Sequence, residues 1–197
     1  MGMKTLLGGA VAAAVALSVV TVQAEDKVHR LKMHSAFTSN TDILGPAGVR
    51  IAKNLTEMSQ DTLRVQFFEP NALVPAIQYL DPVSSGALKM AYGTPGYNVG
   101  QEPALAFFTA VPFGPGIGEY LSWIFYGGGH ELYDEIMANY NIKGRICNAI
   151  PPEASGWFKE PVDSIEDMKG MKMRFFGLGA RVMEKMGVST QLLAGGD

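Results

Sequence analysis

The sequence predicts an α/β fold with mostly parallel sheets. Period-two alternation appears at Leu63, Val65 and Phe67 against Arg64, Gln66 and Phe68. Apolar residues recur at spacings of three and four in Leu44, Ala47, Ile51, Leu55 and Met58. A second strand, turn, helix, strand series then runs from Met171 to Leu193. Serial alternation of this kind builds layered α/β architectures rather than bundles or sandwiches.

Taken in order, Val28 to His34 reads as a strand, followed by the helix of the Leu44 to Met58 stripe. Pro46 lies near that helix's start, where a missing N–H is tolerated. After the strand at 63–68, a helical piece is expected from about Pro75, interrupted at Asp81-Pro82, and then a short strand from Leu88 to Tyr92. Tyr92 to Gly118 holds four prolines and six glycines among many apolar residues. It is hard to make regular and too apolar for a solvated linker, so it is expected as ordered loop on the core or lining a cleft.

Gly127-Gly128-Gly129 reads as a connection leading to helical spacing from His130 to Tyr140, and Arg145 to Ile150 as a strand ended by Pro151-Pro152. Ser164-Ile-Glu-Asp167 has the form of a capping box, opening a short helix that Gly170 closes. Met171 to Phe176 alternates as a strand, Ala180 to Met186 as a helix with Gly187 as stop, and Ser189 to Leu193 as a further strand.

The ends and the composition narrow the classes of function. Lys4, the apolar stretch Leu6 to Val22 and the small-x-small triplet Val22-Gln23-Ala24 form a secretory leader with cleavage after Ala24. A membrane anchor is the alternative, but 17 residues interrupted by Gly8 and Gly9 are short for a bilayer span. The 173 residues that remain suffice for one hydrophobic core. They carry 15 basic and 19 acidic residues with no basic run, which excludes a nucleic-acid footprint. Cys147 is the only cysteine, so no internal disulfide forms, and its apolar neighbours Ile146 and Ala149 suggest a small buried hydrophobe.

Arg174 is the most informative residue. A strand of an α/β sheet is covered on both faces, so a guanidinium in it is either paired with an acid or opens onto a cleft. Arg174 falls near the carboxyl end of its strand, where open α/β sheets place ligands. Gly177-Leu178-Gly179 then leads to a helix N-terminus, whose amides also favour an anion. A guanidinium and a carboxylate form a planar two-pronged pair, so the constellation suits a carboxylate. Gly177-x-Gly179 also resembles the opening of a dinucleotide fingerprint with Asp197 downstream, but Val182 replaces the third glycine.

His29 and His34 point to opposite faces of one strand and cannot share a metal. His130 has no ligating neighbour, and the triple glycine lacks a phosphate-loop ending. Glu153, with Trp157 and Phe158 behind it, either lines a pocket or forms a turn whose aromatics pack in the core.

Three segments carry a specific resemblance: Ser164-Ile-Glu-Asp-Met-Lys-Gly-Met-Lys-Met-Arg174, Pro152-Glu-Ala-Ser-Gly-Trp-Phe158, and Ala87-Leu-Lys-Met-Ala-Tyr-Gly-Thr-Pro-Gly-Tyr97. Together they resemble the solute-binding receptors of TRAP transporters, in the branch that takes 2-oxo and related monocarboxylic acids. The resemblance runs from about Val28 to the end of the chain. It implies a two-lobed periplasmic-binding-protein architecture, type II-like, closing on its ligand like a flytrap. Residues 25–150 would be mainly the first lobe with the start of the crossover, and 151–197 part of the second, because such receptors are close to twice this length.

By the same resemblance Arg174 takes the ligand carboxylate, Glu153 or Ser155 helps hold a bridging cation (Na+ or Ca2+), and Tyr92, Tyr97 and Trp157 wall the pocket. Glutamine is frequent in the branch at the Glu153 position. The partners implied are a small carboxylate and TRAP membrane subunits, with a homodimer of the full-length protein. The implied protein is no enzyme and lies in the periplasm. Alternatives from other classes are a secreted enzyme acting on an acidic substrate and a binding protein feeding a sensor kinase. No nucleophile–base pair or paired carboxylates at informative spacing supports the first.

Overall fold

The computed structural model describes residues 27–150 and 153–195, so the leader and the Pro151-Pro152 stop lie outside the described residues. The architecture is α/β, as the alternation predicts. A first sheet has strand order β2-β1-β3, formed by β1 (His29–Ser35), β2 (Leu63–Phe68) and β3 (Met90–Tyr92). Both of its pairings are parallel, with Leu31 opposite Val65 and His34 opposite Ala91. The second sheet pairs β4 (Lys172–Arg174) with β5 (Ser189–Gln191), also parallel, with Arg174 opposite Gln191. Parallel neighbours require crossovers, and helices supply them: α1 (Leu44–Met58) and α6 (Gly177–Lys185).

Helix α1 spans the predicted residues, and its buried face is shifted partway around from the predicted stripe, with Leu44 and Ile51 still packed partly buried on the core. Gly45, Ala47, Gly48 and Ala52 are buried, whereas Met58 is 81% exposed. The small residues let the helix backbone approach the sheet closely. A Cβ on Gly48 would lie 2.9 Å from the Tyr92 ring, and one on Gly45 only 2.2 Å from the Thr38 carbonyl oxygen. The main core lies beneath this helix, where Met33, Ala36, Phe37, Tyr79, Leu88, Tyr92 and Tyr97 pack together. Burial of large side chains such as Met33, Phe37 and Leu88 contributes about 1.5–3 kcal/mol each.

The proline-rich middle is ordered loop on the core, as expected. It forms two 3-10 turns, Pro95–Asn98 and Pro103–Phe108, and buries Tyr97, Leu105, Ala106 and Phe108. Leu105 and Ala106 form a second core cluster with Leu80, Val99 and Met137. Met137 comes from α4 (Gly129–Ala138), which Gly128, at φ +85°, joins to α3 (Ile117–Tyr126).

Three expectations are corrected, and one helix joins the expected elements. No helix runs from Pro75; α2 spans Leu80–Ser84, and Pro82 lies within its first turn, where the lost N–H has no partner to lose. Helix α3 has no counterpart in the sequence reading. Its start at the end of a glycine-proline tract hides it, although Glu119 accepts a hydrogen bond from the Gly116 N–H at 3.1 Å. Residues 145–150 form no regular element and belong to no ladder among the described residues. Cys147 on that segment is exposed rather than buried, because no neighbouring strand covers it.

The last third follows expectation in order, with shorter strands and with α6 starting at Gly177, so that the expected Gly177-Leu178-Gly179 loop is the helix's first turn. In α5 (Ile165–Met168) the Ser164 hydroxyl accepts from the Asp167 N–H at 3.4 Å, and the Asp167 carboxylate accepts from the Ser164 N–H at 2.8 Å. The hydrogen bonds from the Ser164 hydroxyl and from the Ser164 and Asp163 amides hold the Asp167 carboxyl below the usual carboxylate range. Gly170 leaves the helix at φ +78°, a conformation glycine adopts without a Cβ clash.

Candidate carboxylate site

Strand β4 is short and ends at Arg174, whose side chain is exposed. The guanidinium is anchored on two edges. Its Nε and Nη2 donate to the Leu193 carbonyl at 3.2 and 3.1 Å, and Nη2 also donates to the Tyr97 hydroxyl at 3.4 Å. Below it lies the ring of Phe176, with the Arg174 Cζ 5.3 Å from the ring centroid, within cation–π range. Nη1 donates to none of the described residues, and no described carboxylate forms a salt bridge with Arg174. The fork is thus held in place while one nitrogen stays available, the arrangement an incoming carboxylate needs.

Helix α6 adds to the positive field. It starts at Gly177, three residues past Arg174, with no side chain capping its first amides. Those N–H groups carry the positive end of the helix dipole.

Tyr97 reaches Arg174 from the other half of the chain through local order. Thr94 caps the first 3-10 turn by accepting from the Gly96 N–H at 3.3 Å. Its carbonyl accepts a 2.7 Å hydrogen bond from the buried Tyr79 hydroxyl. Burial pushes the Tyr79 hydroxyl's pKa well above the ordinary tyrosine range, so it remains a donor. Tyr97 is itself 8% exposed and stacks against Phe37 at 6.1 Å and Phe176 at 5.7 Å. Phe37 in turn meets Tyr92 edge-on at 5.8 Å, and Asn148 donates to the Tyr92 hydroxyl at 3.4 Å.

Among the sequence-derived candidates the structure therefore gathers Arg174 and Tyr97 directly, and Tyr92 through Phe37. Glu153 and Ser155 are exposed, and Trp157 is 95% exposed. Among the described residues no three His, Cys, Asp or Glu side chains gather as a cation site, so these residues alone do not form one. Phe37, Asn148, Phe176 and Leu193 were not singled out from sequence. Phe176 carried a signal, since it lies two residues beyond Arg174 and so on the same face of an extended chain. The others arrive through long-range packing that no local pattern encodes.

The chain is similar to several known proteins. A monocarboxylate 2-oxoacid-binding periplasmic protein of Nostoc sp. is 37% identical over 147 residues, covering 75% of this chain and 40% of that protein. A TRAP transporter solute-binding protein of Bordetella bronchiseptica, solved with copurified calcium and picolinate, superposes with a TM-score of 0.82 at 27% identity, covering 85% of this chain and 50% of its own. The TRAP periplasmic solute-binding protein of Pseudoalteromonas atlantica, with bound sodium and pyruvate, gives 0.75 at 31% identity, covering 86% and 52%. That of Colwellia psychrerythraea, with bound calcium and pyruvate, gives 0.74 at 32%, covering 85% and 51%. The chain spans about half the length of these relatives. Residues 34–197 match the family of bacterial extracellular solute-binding proteins, family 7, and the chain belongs to that family.

Proposed function

We propose that this protein captures a small 2-oxo or related carboxylate outside the cytoplasmic membrane and hands it to TRAP-type membrane subunits. The observation that carries the reading is the Arg174 guanidinium, fixed at the carboxyl end of a parallel strand with no acidic partner among the described residues. Its relatives bind pyruvate or picolinate, which present the same flat carboxylate. In this reading residues 1–24 are a leader cleaved after Ala24, and the mature protein works in the periplasm. Residues 25–150 form mainly the first lobe, and 151–197 belong to the second.

Capture then follows from the site. One carboxylate oxygen takes the free Nη1, and the second takes the Tyr97 hydroxyl or displaces it from Nη2 to complete the two-pronged grip. Tyr92, Tyr97 and Trp157 wall the pocket, with Ser155 at its edge. A bridging sodium or calcium ion, of the kind the relatives bind, takes Glu153 as one ligand, and capture by the fork is argued without it. Membrane subunits and a second copy of the full-length protein are the partners of this reading. It assigns no turnover.

Calorimetric titration of the full polypeptide that carries this chain, against 2-oxo, 2-hydroxy and C4 acids, tests the proposal. Saturable binding of a 2-oxo acid with unchanged ligand recovered afterwards supports it. Binding of none of these acids, or conversion of one to product, overturns it.

A further inference from the structure

Gly96 and Phe176 meet where the two halves of the site come together. A Cβ added to Gly96 would lie 2.5 Å from Cε2 of the Phe176 ring and 2.8 Å from the Thr109 hydroxyl. Atoms that far inside contact distance cannot coexist, so the ring occupies a notch that only glycine leaves open. The same ring packs edge-on against Tyr97 at 5.7 Å and lies under the Arg174 guanidinium. Beside it opens a cavity of about 320 Å³, lined by Gly96, Tyr97, Phe176, Ala180 and Arg181 among others. The ring therefore has somewhere to go if it is pushed out of the notch.

We propose that Phe176, seated on Gly96, is a positioning residue of the carboxylate site, whose ring sets where the Arg174 fork stands relative to Tyr97. This rests on the carboxylate-capture reading and adds a determinant of affinity that need not touch the ligand. Three features support it together. The notch fixes the ring on one side, the cation–π contact ties the guanidinium to the ring, and the hydroxyl of Tyr97 bridges back to Nη2. Phe176 is only partly buried and already lines the cavity, so displacing its ring costs the core little and affects the fork more than the fold.

The experiment is a double-mutant cycle in the full polypeptide, read by pyruvate titration and thermal unfolding. Gly96→Ala is expected to weaken pyruvate binding about tenfold with little change in Tm, and Phe176→Leu to do the same. Gly96→Ala with Phe176→Leu is expected to bind no worse than Phe176→Leu alone, because the notch matters only while the ring fills it. Gly118→Ala is the control, since a Cβ there meets nothing within 4 Å and the residue does not line the cavity. Wild-type affinity in Gly96→Ala, or additive losses in the double variant, overturns the positioning role while leaving capture intact. Wild-type protein that binds neither pyruvate nor any other acid of the panel overturns the capture reading itself.

Discussion

Nη2 of Arg174 stands 3.4 Å from the Tyr97 hydroxyl, although the two residues are 77 positions apart in the chain. Arg174 ends a strand of the second sheet, and Tyr97 belongs to a 3-10 turn that follows the first. Their meeting makes one site from two halves.

Removing the Tyr97 hydroxyl while keeping its ring separates orientation from packing. Tyr97→Phe retains the contacts with Phe37 and Phe176 but leaves Nη2 with Leu193 alone. A hydrogen bond of this kind contributes about 0.5–1.5 kcal/mol, so pyruvate affinity should fall roughly two- to tenfold. The Tm should move little, and paired calorimetry and thermal melts check both.

Replacing the fork by a point charge tests its shape. Arg174→Lys keeps the positive charge but cannot bond the Leu193 carbonyl through two nitrogens or present a planar edge. The expected loss is about 1.5–3 kcal/mol, or about ten- to a hundredfold in affinity. Titration with pyruvate at fixed ionic strength measures it.

Helix α1 approaches the chain turn before it too closely for any side chain at Gly45. A Cβ there would meet the Thr38 and Ser39 carbonyl oxygens at 2.2 and 2.4 Å, and backbone cannot yield as a side chain can. Gly45→Ala should therefore cost about 1–3 kcal/mol in urea denaturation. Gly118→Ala, where a Cβ meets nothing within 4 Å, should cost none of this.

His34 lies in β1 with no exposed surface, its Nε2 facing the Ala76 carbonyl at 3.1 Å and its Nδ1 without a partner among the described residues. A carbonyl only accepts, so Nε2 carries the proton and Nδ1 is bare. Burial pulls the His34 pKa below the model-peptide 6.5, and the Ala76 hydrogen bond only partly opposes this. The unfolded chain thus takes up a proton that the folded one refuses. Stability is full above pH 6.5 and declines as pH falls below it. Melts from pH 7.5 to 5 should show that decline, and His34→Leu should reduce its slope.

The strands, their parallel pairing and the Ser164 capping box were legible because each depends on local period or on residues three apart. Arg174 was legible because it closes its strand, where open α/β sheets place ligands, although that face of β4 is exposed and not covered as the sequence argument assumed. Helix α3 was hidden behind its glycine-proline lead-in. The segment at 145–150 reads as a strand because its composition suits one, yet pairing depends on a neighbour that composition does not supply. On α1 the stripe indicated the helix and placed Leu44, Ala47 and Ile51 toward the core, but Gly45 and Gly48, which set the closest approach, carried no periodic signal. Phe37 and Leu193 were invisible because a buried ring and a backbone carbonyl gain their roles only through long-range folding.

A crystal structure of the full polypeptide with pyruvate is the most direct test of the carboxylate site. The account predicts a carboxylate oxygen within about 2.7–2.9 Å of Arg174 Nη1, with Tyr97 within hydrogen-bonding reach of the same group. Pyruvate bound elsewhere, with Arg174 still engaged only by Leu193, Tyr97 and Phe176, would contradict it.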